Sequence, residues 1–205
     1  MATTWTQRSH DPAHDVDDVL LADGTSGTLR RLRPDDRPRL TALFDACGDK
    51  SLYTRFFSTG RGMVTAHLDH LFDESTGSVS YVVERGDRII GVADVEPCGA
   101  DTSEIAFLVA DDCHALGVAT LLLERAAADA SAAGVAWFVA DVLSINHPML
   151  AVFRESGFHL QRHDERGDTS LRMSTEITPA VQEATHGRRA LALQRRMDRR
   201  RPAAG

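Results

Sequence analysis

A chain of 205 residues, 42% of them hydrophobic, is long enough for one well-buried domain with a tail to spare. Its formal charge of −7 is uneven: Gly187 to Gly205 carries seven Arg against one Asp, while the first 186 residues carry 16 basic against 29 acidic groups. No run approaches the ~20 apolar residues of a membrane span, the acidic body repels nucleic acid, and Cys47, Cys98 and Cys113, scattered and without Cys-x-x-Cys spacing, argue against a disulfide framework or a zinc site.

The first thirty residues lack a basic-then-apolar signal pattern, so a cytoplasmic protein with reduced thiols is expected. Residues 1–18 are polar, without periodicity, and read as a flexible arm. Residues 19–177 read as the folded domain, and 178–205 as a basic helical tail. Val19 to Leu21 is a short strand, Ala22 to Thr25 a hairpin turn, and Thr28 to Arg33 the first full strand. Asp35 or Asp36 then caps a helix to about Cys47, in which Leu40, Leu43 and Phe44 recur at helical spacing. Lys50 to Phe57 and Met63 to Phe72 are further helices; His67 and His70 share a face of the second, without a third metal ligand in view. Strands at Ser80–Glu84 and Arg88–Val95 form a hairpin about Arg85-Gly86-Asp87, and Thr102–Val109 follows. Gly117 to Ala133 is a crossover helix closed by Gly134, and Trp137–Leu143 is a buried strand parallel to the one ending at Val109. Asn146 caps a helix ending at Gly157, and Phe158–His163 with Thr169–Glu176 form a last hairpin.

The stretch that carries chemistry runs from Ser103 to Gly134. A strand there feeds a glycine-marked turn into a helix, whose first N–H groups lack intrahelical partners and whose macrodipole favours an anion. Gly117 and Ala119 are small enough for phosphate to approach the backbone. Neither a Walker-type Gly-x-x-x-x-Gly-Lys run nor a Gly-x-Gly-x-x-Gly run occurs.

His114-Ala115-Leu116-Gly117-Val118-Ala119 resembles the Gln/Arg-x-x-Gly-x-Gly/Ala signature by which the Gcn5-related N-acetyltransferases (GNAT) bind the pyrophosphate of acetyl-CoA. His114 replaces the usual Gln or Arg, and Leu116 stands where a basic residue is common. Asn146 to Phe158 resembles the same family's Asn-x-x-Met/Ala-x-x-x-Tyr/Phe-x-x-x-Gly-Phe motif. The resemblance implies an α/β GNAT fold: a mixed, mostly antiparallel sheet with a βαβ acetyl-CoA-binding crossover and helices on both faces. It places the pantetheine arm between the strands ending at Val109 and Val142, paired with the edge near Leu108 and Val109 and held by Asn146. His114, Ala115, Leu116, Gly117, Val118, Ala119 and Thr120 would cradle the phosphates. Leu20 to Gly24, Arg33-Pro34-Asp35-Asp36, Ser51 to Phe57 and Glu104 to Phe107 are similar, more narrowly, to bacterial protein lysine acetyltransferases.

Acyl transfer to an amine needs a neutral nucleophile, since a lysine with a pKa of ~10.4 is protonated at neutral pH. Glu104, the lone carboxylate leading an apolar strand, stands where the resembling enzymes place their general base. Many relatives have Tyr where this chain has Phe153, which implies CoA leaving as the thiolate, with Phe153 against the pantetheine. Adjacent Cys113 and His114 suit a nucleophilic pair poorly, so direct transfer is expected. The reading is an acetyl-CoA-dependent, metal-free N-acetyltransferase acting on a protein lysine. The alternatives are a small-amine or antibiotic N-acetyltransferase and a non-catalytic acyl-CoA sensor, with a nucleic-acid binder using the arginine tail ranked last. The acceptor, acyl preference and oligomeric state stay open.

Overall fold

The computed structural model describes residues 16–58, 62–165 and 167–200. Its strands are β1 (Val16–Leu20), β2 (Ser26–Arg31), β3 (Val79–Arg85), β4 (Arg88–Pro97), β5 (Thr102–Val109), β6 (Trp137–Leu143), β7 (Leu160–Glu165) and β8 (Asp168–Ser174). They form one sheet in the order β1-β2-β3-β4-β5-β6-β8-β7. Every pairing is antiparallel except β5 with β6. The hairpin β7–β8 folds back so that its second strand, not its first, joins β6. The helices are α1 (Arg37–Ala46), α2 (Asp49–Phe56), α3 (Gly62–Leu71), α4 (Val118–Ala133), α5 (His147–Glu155) and α6 (Pro179–Arg200).

Period-two alternation decides which residues face which layer. On one face of β4, Gly91 admits α4: a Cβ at residue 91 would stand 2.5 Å from Val118 Cγ1. Tyr81, opposite Ala93 in the ladder, reaches Asp129 of α4 from the same face (2.9 Å). Asp94 points the other way, to Arg55 of α2 and His67 of α3. Helices therefore cover both faces, with an apolar core that includes Tyr81, Ile90, Leu122, Leu123 and Phe138, each 0% exposed.

Three expectations change. The first strand begins at Val16, so residues 16–18 pair with β2 instead of extending an arm; residues 1–15 lie outside the described residues. Asp36 precedes α1 but does not cap it: the carboxylate turns inward to Arg30 (2.6 and 2.8 Å), a buried charge needing its partner more than a helix end needs a cap. Asp36 also accepts from Arg33 N (2.9 Å), and Glu84 completes the shell of Arg30, whose guanidinium is held firmly charged by Asp36 despite burial. Finally, α6 is docked on the body over 179–200. Val181 and Ala192 are buried in it, and Arg188 binds Glu124 of α4. At Gly24, with φ of +82°, an added Cβ would lie 2.5 Å from Arg196 N, so the β1–β2 turn is a seat for this helix.

Candidate active site

Strands β5 and β6 pair over three residues only, Thr102 with Trp137, Ser103 with Phe138 and Glu104 with Val139. Beyond Glu104, β5 stays on β4 as far as Val109, while β6 stays on β8 as far as Leu143. A gap thus opens inside the sheet, with an unpaired edge of β5 along one wall. Ala110 N donates to Ile90 O (3.0 Å), and antiparallel bonds fall on alternate residues. Leu108 and Ala106 accordingly bond to β4, while the backbone groups of Phe107 and Val109 point into the gap. His114 Nε2 lies 3.2 Å from the Val109 carbonyl, on that open edge.

The chain leaves β5 through a 3-10 turn, Asp111–Cys113, and reaches α4 by way of Gly117. Ala115 (φ +64°) and Gly117 (φ +76°) are both left-handed, which folds the loop tightly onto the helix start. A non-glycine residue in that region carries ~1–2 kcal/mol of strain, so the fold has to impose it at Ala115. Two contacts do so. Ala22 N donates to Leu116 O (2.8 Å), and Asp111 accepts from Gly48 N (2.9 Å) and Ser51 Oγ (2.6 Å) at the start of α2. The Ser51 hydroxyl and the Gly48 N–H hold the Asp111 carboxyl below the usual carboxylate range. No side chain caps α4, so the N–H groups at its start, from Val118 to Thr120, remain available to an anion. Of the loop's other groups, Cys113 is buried and contacts Arg85 (3.6 Å), and burial pushes its thiol up, away from nucleophilic use.

Glu104 stands on the last paired rung before the gap and is exposed. Glu96 is its partner across the β4–β5 ladder, and His70 Nε2 lies 3.0 Å from Glu96 Oε1. Beneath this face lies Asp94, 2% exposed, bound by Arg55 Nη2 (2.9 Å), His67 Nε2 (3.1 Å) and Ser80 Oγ (2.9 Å). Burial alone would raise the Asp94 carboxyl, but His67 and Arg55 outweigh it and hold it low. His67 and His70 therefore serve different carboxylates.

The residues 28–159 match the family model described as an acetyltransferase (GNAT) domain. The GNAT domain of S. lividans PAT is 31% identical over 80% of this chain and 99% of its own, with a TM-score of 0.73. The chain belongs to the GNAT acetyltransferase family. Two further structures share the fold. Mycobacterium smegmatis RimJ, in complex with CoA-disulfide, is 19% identical with a TM-score of 0.65, covering 86% of this chain and 95% of its own. Salmonella typhimurium yncA, with its cofactor acetyl-CoA, is 17% identical with a TM-score of 0.60, covering 75% and 95%. This GNAT chain is accordingly an acetyl-CoA-dependent acyltransferase.

In this GNAT fold the expected site residues fall in two places. Val109 and the run from His114 to Thr120 line the open edge and the loop beyond it, whereas Leu108, expected on the same edge, turns its backbone groups to Val92 of β4 because antiparallel bonds alternate. Asn146 is the N-cap of α5 beyond the opposite wall, its Oδ1 accepting from Met149 N (3.3 Å), which leaves its amide N–H groups for a ligand. Phe153 is 1% exposed, its ring edge-on to Phe107 (centroids 6.0 Å), so it backs the β5 wall from behind. Sequence reasoning passed over Glu96, Asp94, Arg55 and the outer face of β6–β8–β7. Asp94 had a signal, as the one charge within the apolar run Ile89 to Val95. The outer face had none, because register alone brings Val139, Asp141, Gln161, Ser170 and Arg172 together, in a groove of about 490 Å³.

Proposed function

We propose that this GNAT enzyme transfers the acetyl group of acetyl-CoA directly to the ε-amine of a protein lysine, with Glu104 as the general base. The observation that carries the reading is the position of Glu104: an exposed carboxylate on the last β5–β6 rung, at the mouth of the gap. The likeness to S. lividans PAT supports the choice of acceptor.

Acetyl-CoA fits the residues present. The uncapped start of α4, with Gly117 and Ala119 leaving the backbone open, would hold the diphosphate, together with His114, Ala115, Leu116, Val118 and Thr120. The edge of β5 at Phe107 and Val109 would pair with the pantetheine amides, Asn146 would bind from the opposite wall, and Phe153 would keep Phe107 and the β5 wall in place. Acetyl-CoA supplies the thioester. Glu104, directly or through one water, takes a proton from the lysine ammonium. The neutral nitrogen attacks the thioester carbonyl, a C–N bond forms, the C–S bond breaks, CoA leaves as the thiolate, and the second proton of the attacking nitrogen passes to water as the neutral amide forms. Phe153, apolar and buried, offers no proton to it.

The test is release of CoA thiol from acetyl-CoA, first with proteins of a lysate freed of small molecules, then with a panel of small amines. Lysate-dependent release with new acetyl-lysine supports the reading, and release with small amines alone moves the enzyme to metabolite acetylation. Binding of acetyl-CoA without release from either would make the chain a sensor.

A further inference from the structure

The register places five residues in one row across the open face of the sheet: Glu96, Glu104, Val139, Arg172 and Gln161. They are successive partners on β4, β5, β6, β8 and β7, so their side chains share a face. Strands lie about 4.8 Å apart, which puts Arg172 about 10 Å from Glu104. The groove beside Glu104 is lined by Val139, Asp141, Gln161, Ser170 and Arg172 among others.

The other charges of that groove are already engaged. Arg162 binds Asp164 (2.8 Å), and Asp141 accepts from Ser170 Oγ (2.6 Å). Arg172 differs. Among the described residues it pairs with no carboxylate, and its guanidinium lies over the Trp137 ring, 4.3 Å from the centroid. A cation–π contact with an indole positions a guanidinium without neutralising its charge, so it stays available to a carboxylate.

We infer that Arg172, seated on Trp137, is a specificity residue that recognises an acidic group on the acceptor, about 10 Å from the amine to be acetylated. This rests on the protein-lysine reading above. In an extended peptide rising about 3.3 Å per residue, the acidic side chain falls within three residues of the acceptor lysine.

The test compares matched lysine peptides carrying Glu or Ala at those flanking positions, by kcat/KM for thiol release, with the wild type, Arg172→Gln, Arg172→Lys and Arg172→Glu. The wild type is expected to favour the Glu peptides roughly fivefold, as for a solvent-facing ion pair near 1 kcal/mol, and less at high salt. Arg172→Gln brings the ratio to about one, Arg172→Lys keeps part of it, and Arg172→Glu inverts it. An exposed side chain is replaced, so unchanged melting temperatures establish that the variants are folded. Peptides acetylated without preference, or with a preference that survives Arg172→Gln, overturn the inference and leave the protein-lysine reading intact. Turnover of carboxylate-bearing small amines but of no peptide, with the same dependence on Arg172, supports anion recognition and overturns the protein acceptor. No turnover in either arm overturns both.

Discussion

Glu104 and Glu96 face each other across the β4–β5 ladder, yet only Glu96 has a histidine beside it, His70 Nε2 at 3.0 Å. Among the described residues, Glu104 pairs with no cation. The two carboxylates therefore differ in their surroundings, and Glu104, exposed at the mouth of the gap, is the one proposed as the base. Glu104→Gln should lower kcat/KM for thiol release by about 10²- to 10⁴-fold, the usual contribution of a general base, with acetyl-CoA affinity retained. Glu96→Gln should cost far less. Steady-state thiol release, with calorimetric titration of acetyl-CoA, checks both, and equal losses would move the base away from Glu104.

Gly117 has a φ of +76° and sits 3.6 Å, by its added Cβ, from Ala22. Space there is adequate and conformation is not, so Gly117→Val should cost about 1–2 kcal/mol of stability through left-handed strain. The larger effect should be on ligand binding, since the branched side chain also stands over the N–H groups that start α4. The rise in melting temperature that acetyl-CoA produces in the wild type should shrink or vanish in the variant.

Asp94 is charged inside the protein because Arg55 and His67 meet it there. Asp94→Ala leaves Arg55 half-enclosed without its partner, and about 3–5 kcal/mol of stability should be lost. The pH dependence follows the direction of the shifts. Asp94 and Asp111 both have folded-state values below their ordinary ones, near 3.9 when unfolded. Their contribution is complete above that value and disappears as pH falls through the lower folded-state value. Chemical denaturation from pH 7 to pH 3 should show stability declining below about pH 4, with a shallower decline in Asp94→Asn.

Helix α6 rests on the β1–β2 turn, where Arg195 donates to the Ala22 carbonyl and Arg196 Nη1 to Ser26 Oγ (3.2 Å). Gly24→Leu drives a side chain into the backbone at Arg196 and demands a left-handed leucine. The variant should release α6, and limited trypsin digestion should cut at Arg188, Arg189, Arg195 and Arg196 well before it does in the wild type. Unchanged cleavage would mean that α6 is held by its Val181 and Arg188 contacts alone.

Local signals were enough wherever a single stretch settles its own conformation. The crossover helix, bounded by Gly117 and Gly134, both left-handed, was legible because glycine is the residue such ends require. Asn146 announced the start of α5, and the small residues at the start of α4 and the lone carboxylate leading β5 are the signals on which the proposed phosphate cradle and base rest. The split between β5 and β6 was legible only through the family resemblance, and the choice among distant partners was not legible at all. Nothing in the separate stretches says that β5 and β6 part after three rungs, that β8 and not β7 joins β6, or that Asp36 abandons α1 for Arg30. Each depends on a competition between partners far apart in the chain, which only packing resolves. The same holds for Arg172 and Trp137: 35 residues apart in sequence, they became one feature through strand register. Sequence by itself determined the family and the helix ends; the tertiary structure decided the extent of the gap, the unequal surroundings of the two glutamates and the row of side chains from Glu96 to Gln161, because these exist only where strands meet.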